Sequence, residues 1–421
     1  MGLIIGYDLC EDYVRISCEH LESRQTEDIS FVEDSQVESL AFLLCKKRGK
    51  EEWLIGEAAM EEALLGSGIL IDQLKELVCC RKSTIIEGTC YTGVFLLSLF
   101  LQKTLSYVQE KAEDHTLETI VFTIPEIESG WVDGITASTD LLEIPRENVK
   151  VISHSESFLH YLLNQPKSLW NGVCGLFDIT RAGFHYYEIR VQRECRPAVI
   201  ETSHTALPET FDLDLLKTKS GGKMADSIMV SGAAKVMGNR MMSAIFLSGE
   251  GMAHCQEWAS DFLRYICSRR KVFYHHNLFA RGALYYMHSI LDSSSLFPYI
   301  CVGEGRIPYE VTMDAVQFGV RKTILLNRAG TNWYEAGNRI SFFPDGETSV
   351  KLEARRMGDR KTIQLELPLE GFPKRPPRTT RIEMEMKFTS ETEMKVVLRD
   401  RGFGELFPET DYRVEKVFTL K

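Results

Sequence analysis

Two short apolar segments that each end in an aspartate constrain this chain more than any other feature. Residues 3–7 lead into Asp8, and residues 173–177 lead into Asp178. After each aspartate the chain turns and returns through a second segment rich in β-branched and aromatic residues. Apolar runs of this length, bounded by turn signals, are typical of strands buried on both faces. We therefore predict two similar strand–turn–strand units, each with an acid at its turn.

Segments of helical periodicity alternate with further apolar strands up to about residue 307. The predicted helices are 57–65, 91–112, 128–142 and 155–164, and the predicted strands among them are 119–124 and 149–152. A third apolar strand, residues 244–248, runs into a turn that contains Gly249 and Gly251. Strands that alternate with helices in this way are typical of α/β proteins.

The pattern changes after residue 308. Residues 381–388 alternate apolar and polar side chains without a break, and residues 349–352 and 363–367 do so nearly as well. Alternation with a period of two, interrupted by glycine and proline, indicates antiparallel strands with one solvated face. We therefore predict an α/β domain over residues 1–307 and a β-rich domain over residues 308–421.

Composition excludes several classes of partner. The 421 residues carry a formal net charge of −11, which repels nucleic acid and anionic membrane surfaces. No segment has the roughly 18 apolar residues of a membrane span, and a secretory leader is not expected, which favours a cytoplasmic protein. Eleven scattered cysteines predict free thiols in a reducing compartment. The adjacent pairs Cys79-Cys80 and His275-His276 lack metal-site spacing, so no metal site is expected.

The order of these segments resembles that of the actin-like ATPase superfamily, and their details resemble the seventy-kilodalton heat-shock (DnaK-type) chaperones in a reduced and degenerate form. In that family, strand–turn units of this kind hold a nucleotide between two lobes. The matching segments are 6–9 (first phosphate loop), 54–59, 122–125, 175–178 (second phosphate loop), 247–249 (adenosine loop) and 280–283. Residues 367–373 resemble the family's peptide-binding β-sandwich.

The resemblance implies a two-lobed α/β actin-like ATPase fold followed by an antiparallel β-sandwich-like domain without the helical lid. It places Asp8, Asp178, Gly183, Gly249 and Gly251 where the family binds its nucleotide and the associated Mg²⁺. ATP with Mg²⁺ is therefore the cofactor that the resemblance suggests, although the residues themselves make no cofactor certain.

The nucleotide motifs depart from the family in ways that weaken catalysis. Glu11 and Asp12 replace two phosphate donors, and a like charge at ~4 Å costs about 4 kcal/mol at an effective dielectric of about 20. Lys75 lies one position away from the family's catalytic lysine. No catalytic residue is therefore assigned. Three alternatives remain: Asp8 and Asp178 only cap turns between buried strands, a nucleotide binds without turnover, or a rearranged site hydrolyses ATP.

Phe342 and Phe343 lie where the resemblance places a peptide-binding loop, and an extended apolar peptide or another protein is the implied partner. Two adjacent rings on one strand cannot both point into a core, so one of them could contact a ligand. The alternative is that one ring is buried and the other covers a neighbouring loop. The predicted function is a protein- or peptide-binding scaffold without ATP hydrolysis. The alternatives are a minimal ATP-dependent chaperone and an actin-like assembly protein.

Overall fold

The computed structural model describes residues 2–31, 39–112, 116–195, 197–291, 299–358 and 361–420. The chain divides into two compact units, which we call unit 1 (residues 1–190 and 202–297) and unit 2 (residues 191–201 and 298–421). The domain boundary proposed from the sequence at residue 307 stays a prediction. Unit 1 is mixed α/β and unit 2 is β-rich, as the sequence indicates.

The strands of the first half of the chain are β1 (Gly2–Leu9), β2 (Tyr13–His20), β3 (Thr26–Asp28), β4 (Ser39–Ala41), β5 (Leu44–Lys47), β6 (Trp53–Ile55), β7 (Gly68–Ile71), β8 (Ser83–Ile86), β9 (Thr89–Thr92), β10 (Thr116–Ile124), β11 (Val149–Ser153), β12 (Val173–Thr180), β13 (Gly183–Gln192) and β14 (Ala198–Leu207). Those that follow are β15 (Ala244–Ser248), β16 (Lys271–Tyr274), β17 (Tyr299–Val302), β18 (Tyr309–Gln317), β19 (Val320–Asn327), β20 (Gly337–Phe342), β21 (Ser349–Arg356), β22 (Thr362–Pro368), β23 (Ile382–Phe388), β24 (Glu393–Asp400) and β25 (Arg413–Thr419).

The helices are α1 (Gly56–Leu64), α2 (Leu74–Cys79), α3 (Gly93–Lys111), α4 (Ser129–Leu141), α5 (His154–Leu163), α6 (Lys219–Met237), α7 (Ser260–Cys267) and α8 (Leu278–Leu291). The four helices expected between residues 57 and 164 are confirmed as α1, α3, α4 and α5. Within the described residues, no helix combines the length and the apolar character needed to cross a membrane.

Two sheets of unit 1 repeat one strand order. The first runs β11-β10-β1-β2-β3, with β4 also paired to β2, and the second contains the run β16-β15-β12-β13-β14. In each sheet an antiparallel hairpin, β1–β2 or β12–β13, adjoins two strands that run parallel to its first strand. The two strand–turn–strand units expected from the sequence are therefore confirmed, and each belongs to a sheet of equivalent order.

The first strand of each hairpin is buried along nearly its whole length, which explains its uninterrupted apolar run. Helix α8 covers β1 so closely that a Cβ on Gly6 would lie 2.1 Å from the carbonyl oxygen of Ala280. It approaches α5 equally closely, because a Cβ on Gly282 would lie 2.1 Å from the carbonyl oxygen of Ser157. These glycines allow α8 to pack directly on β1, the strand that carries Asp8, and on α5.

Unit 2 contains two four-stranded antiparallel sheets, with strand orders β19-β18-β21-β22 and β20-β23-β24-β25. In β23 the apolar residues at 382, 384, 386 and 388 are buried and the alternate positions are more exposed. This alternation confirms antiparallel strands with one solvated face. The first residues of β14, 198–201, pair in parallel with β17 inside the same unit.

All eleven cysteines are free thiols, as expected from their scattered positions. Five of them are buried, among them Cys10 and Cys18, whereas Cys80, Cys90 and Cys267 are exposed.

Candidate functional site

The two aspartates predicted from the sequence lie at equivalent places, near the ends of β1 and β12, and both are almost completely buried, at 1% and 3% exposure. Asp8 stands opposite Arg15 across its hairpin, and Asp178 stands beside Ser248 on the parallel strand β15. Burial raises the pKa of Asp178 to about 6, and the negative charge of Asp8 acts in the same direction. The two carboxyl groups therefore belong to one buried electrostatic centre.

Asp8 is held by a histidine that the sequence did not single out. The Asp8 Oδ1 atom lies 2.7 Å from Nε2 of His154, the first residue of α5, and His154 is 1% exposed. The thiol of Cys10 donates to the same Oδ1 at 3.4 Å, and its sulfur lies 3.9 Å from the same Nε2. Three different ligand-type side chains therefore converge on one buried point.

The ring of His154 is fixed on its other sides. Phe279 stacks on it with a centroid separation of 3.7 Å and an interplanar angle of 11°. Its second nitrogen, Nδ1, lies 3.3 Å from the hydroxyl of Tyr187. A histidine held by a hydroxyl on one nitrogen and a carboxylate on the other has a defined orientation and little freedom to rotate.

A buried guanidinium completes this centre. Arg15 is 1% exposed, its Nη1 donates to the carbonyl oxygen of His276 at 3.2 Å, and its Cζ lies 4.4 Å above the Tyr13 ring. Among the described residues, Asp178 Oδ1 and Arg15 Nε are buried polar atoms with no hydrogen-bond partner. Buried polar atoms in folded proteins usually have a hydrogen-bond partner, so these two atoms call for an explanation.

The three glycines predicted to contact phosphates lie close to Asp178. Gly183 is the first residue of β13, pairs with Thr180 directly after the hairpin turn, and has φ +145°. Gly249 has φ +91°, and a Cβ there would lie 2.2 Å from the carbonyl oxygen of Ile179. Gly251 is buried, and a Cβ there would lie 2.4 Å from Ile179 Cγ2. In this structure Gly249 and Gly251 allow the turn after β15 to pack directly on β12.

The displaced lysine is held by two acids. Lys75 Nζ lies 2.7 Å from Glu11 Oε1 and 2.8 Å from Glu128 Oε1. Burial acts to lower the pKa of Lys75, but the two glutamates outweigh this effect and raise it. Glu11 stands where the family that the sequence resembles has a phosphate donor, and here it is an ion-pair partner of Lys75.

Asp226 has a structural role that sequence reasoning missed. Its carboxylate accepts hydrogen bonds from the backbone amides of Phe262, at 2.7 Å, and Asp261, at 2.9 Å. It thereby satisfies free amides in the first turn of α7. The distance of 35 positions along the chain gives no local signal for this contact.

In unit 2 the two predicted peptide-binding rings have different surroundings. Phe342 ends β20, is half-buried and stands opposite Ile382 on β23. Phe343 is 45% exposed and makes an edge-to-face contact with Phe403, which is 47% exposed, at a centroid separation of 5.8 Å. Phe343 is therefore the ring of the two with surface available to a ligand.

These features define a class: an α/β domain with a buried charged centre at the ends of two equivalent strands, followed by a β-rich unit. The chain belongs to the family described as "Family of unknown function (DUF5716) C-terminal", which matches residues 25–304. Residues 306–420 match the "Domain of unknown function (DUF8552)".

No curated protein matches the chain. A similar solved structure is that of a non-polymerising MamK mutant bound to AMPPNP, with 10% identity and a TM-score of 0.43. The match covers 68% of this chain and 99% of that chain. Similarity at this level does not define the fold.

Proposed function

We propose that this chain is a degenerate actin-like protein of the heat-shock-chaperone type that works as a protein-binding scaffold and does not hydrolyse ATP. The observation that carries the proposal is the buried hydrogen bond of 2.7 Å between Asp8 and His154. The family that the sequence resembles uses an aspartate at this position to hold the metal ion of its nucleotide. Here the same carboxylate is bound by the protein itself.

The actin-like part of the proposal is supported by the repeated sheet order in unit 1. A two-lobed actin-like core requires two sheets of the same topology in one chain. Each sheet here contains a hairpin, and the first strand of each hairpin carries an aspartate near its end. Asp8 and Asp178 occupy the equivalent position in the two sheets.

Charge and packing both disfavour ATP hydrolysis. An ATP site needs exposed backbone amides, carboxylates that reach Mg²⁺ and a free cation near the γ-phosphate. Asp8 and Asp178 are buried, and Lys75 is paired with two glutamates. The turn at Gly249 packs on Ile179. The residues present therefore fit a Mg²⁺-bound nucleotide poorly.

The binding part of the proposal is supported by the exposed ring pair of Phe343 and Phe403 in unit 2. Exposed aromatic rings are favourable contact points for an apolar segment, because they add buried area at little cost in side-chain entropy. A protein or an extended apolar peptide is the partner that fits this surface. A cytoplasmic location, where eleven thiols stay reduced, belongs to the same proposal.

The first experiment measures nucleotide binding and hydrolysis with the full chain. Calorimetric titration with ATP and Mg²⁺ should give no binding heat, and phosphate release should not exceed the protein-free rate. A ligand at about 100 times its dissociation constant would stabilise the fold by about 2.7 kcal/mol, so no thermal shift is expected with ATP. Steady hydrolysis that disappears in the Asp8→Ala variant would overturn the proposal.

The second experiment measures the anisotropy of a fluorescent apolar peptide mixed with the full chain. Binding should be weak, should fall in Phe343→Ala and should not respond to ATP. Phe318→Ala is the matched control, because Phe318 is an exposed phenylalanine of the same unit, at 95% exposure, that lies between β18 and β19. Equal affinity of the wild type and Phe343→Ala would remove this ring from the binding surface.

A further inference from the structure

Cys10, Asp8 and His154 form a set of side chains with the chemistry of a metal site. The sulfur, one carboxylate oxygen and one ring nitrogen lie within 4.8 Å of one another, and all three residues are buried. Sulfur, nitrogen and oxygen donors of this kind are the ligands that Zn²⁺ takes in proteins. No metal site was expected from the sequence, because only pairs adjacent in sequence were considered, whereas His154 lies 144 positions after Cys10.

The spacing of the three donor atoms suits one small ion. Zinc lies about 2.0–2.3 Å from such ligands, so the ligands of a tetrahedral ion are about 3.3–3.8 Å apart. The sulfur–oxygen and sulfur–nitrogen distances are 3.4 and 3.9 Å. The oxygen–nitrogen distance of 2.7 Å is that of a hydrogen bond, and it has to lengthen when an ion replaces the proton.

A second, independent observation points to a cation at the same centre. Asp178 is 3% exposed, and its Oδ1 atom is buried without a hydrogen-bond partner. Its charge acts on Cys10 and is itself affected by Asp8 and His154, so it belongs to the same cluster. A buried carboxylate oxygen without a partner is costly unless a cation or a donor satisfies it.

We propose that Asp8, Cys10 and His154 bind a Zn²⁺ ion directly, with Asp178 as the carboxylate that completes or balances the site. The site differs from a nucleotide-linked Mg²⁺ site, because the thiol and the imidazole contact the ion themselves and no nucleotide takes part. It does not depend on the proposed function.

Charge balance supports a divalent ion. Two carboxylates and the guanidinium of Arg15 leave one net negative charge in the buried centre when the Cys10 thiol is protonated. Loss of the thiol proton adds a second negative charge, and a divalent cation then neutralises the cluster.

The proton balance is simple. Zinc binding forms one metal–sulfur bond and releases the thiol proton of Cys10 to solvent. The ring proton that Nε2 of His154 shares with Asp8 moves to Nδ1, and Nε2 gives its lone pair to the ion. The Nδ1–H group then donates a hydrogen bond to the Tyr187 hydroxyl, 3.3 Å away. An orienting hydrogen bond of this kind is the usual support for a metal-binding histidine. Oxidation states do not change.

The site would connect two strands of the first sheet that are not neighbours. Asp8 lies near the end of β1, Cys10 follows that strand, and His154 directly follows β11, two strands away. The parallel strand β10 lies between them, so all ligands come from one edge of the sheet. An ion there would fix the hairpin to the start of α5.

The test uses the full chain, stripped of metals with a chelator and titrated with Co²⁺ as a spectroscopic substitute for Zn²⁺. One equivalent of Co²⁺ should give a thiolate-to-metal absorption band, which an equivalent of Zn²⁺ then removes. The band should be absent in Cys10→Ala and unchanged in Cys18→Ala, a matched control that removes another buried cysteine of unit 1. Tyr187→Phe should keep the band and weaken binding about tenfold.

A band of equal strength in Cys10→Ala would overturn the proposal, because other cysteines would then be the ligands. No stoichiometric binding to the wild type would also overturn it. X-ray absorption of the zinc-loaded wild type serves where Cys10→Ala does not fold. One sulfur among nitrogen and oxygen neighbours is expected, whereas no sulfur, or two or more, contradicts the site.

Discussion

The substitution of Gly249 by alanine tests whether this glycine is needed for packing of the turn on β12 or for binding of a phosphate group. Gly249 has φ +91° and ψ 160°, a region that is essentially restricted to glycine and costs other residues about 1–3 kcal/mol. A Cβ there would also lie 2.2 Å from the Ile179 carbonyl oxygen and 2.7 Å from Asp178 Oδ1. Overlap with fixed atoms adds about 1–3 kcal/mol. We therefore expect Gly249→Ala to destabilise unit 1 by about 2–6 kcal/mol.

Gly88 provides the matched control in the same unit. It has φ +82° between β8 and β9, and no neighbouring heavy atom lies within 4 Å of the position of a Cβ. Gly88→Ala carries backbone strain of about 1–2 kcal/mol, part of which is offset because alanine restricts the unfolded chain. The difference between the two variants therefore measures mainly the close approach of the turn to β12.

The assay is urea unfolding followed by circular dichroism and by tryptophan fluorescence, with the midpoint and slope compared at each probe. Two units can unfold separately, so coincidence of the probes has to be tested first. Equal destabilisation by Gly249→Ala and Gly88→Ala would refute the packing argument. A stable Gly249→Ala variant that loses ATP binding would instead restore the phosphate role of Gly249.

Three further predictions concern contacts of unit 1. Burial acts to raise the pKa of Asp28, but the hydrogen bonds with Arg281 outweigh this effect and lower the pKa. The charged Asp28 should therefore stabilise the fold above about pH 4, and this stabilisation should be lost as the pH falls further. In Asp28→Asn, an acid titration of the free energy of unfolding should no longer show that loss. Gly282→Ala should cost about 2 kcal/mol in urea unfolding although alanine favours helices, because its Cβ would meet the Ser157 carbonyl. Asp226→Ala should lower the free energy of unfolding by about 1–2 kcal/mol through loss of the α7 cap.

Much of the secondary structure followed from local patterns. The apolar strands ending in Asp8 and Asp178 and the alternation at residues 381–388 have signals within a few residues, so periodicity alone identified them. Helix α6 was not predicted from the sequence. The hydroxyl of Thr218 accepts from the Gly221 amide at 3.1 Å and gives the helix a start that the pattern did not reveal.

The composition of the buried centre could be predicted only in part. The two acids carried a signal, because each stands at the end of an apolar strand. His154 did not, because its contact with Asp8 depends on β11 lying two strands from β1 in the same sheet. The carboxyl ends of parallel strands lie at one edge of a sheet, so knowledge of the strand order would have predicted that His154 lies near Asp8. Strand order is a property of the whole sheet, and no local pattern contains it.

The two sheets have equivalent strand orders, but the histidines at their equivalent positions have different contacts. A histidine directly follows the outer parallel strand in each sheet, His154 after β11 and His275 after β16. His154 stacks on Phe279 and bonds Asp8, whereas His275 packs edge-on against Tyr161, with a centroid separation of 5.2 Å. The repeated topology therefore places a histidine at the same edge of each sheet, but the two imidazoles have different neighbours. Only the residues that pack around each histidine distinguish the one that contacts a buried carboxylate, His154, from its counterpart His275.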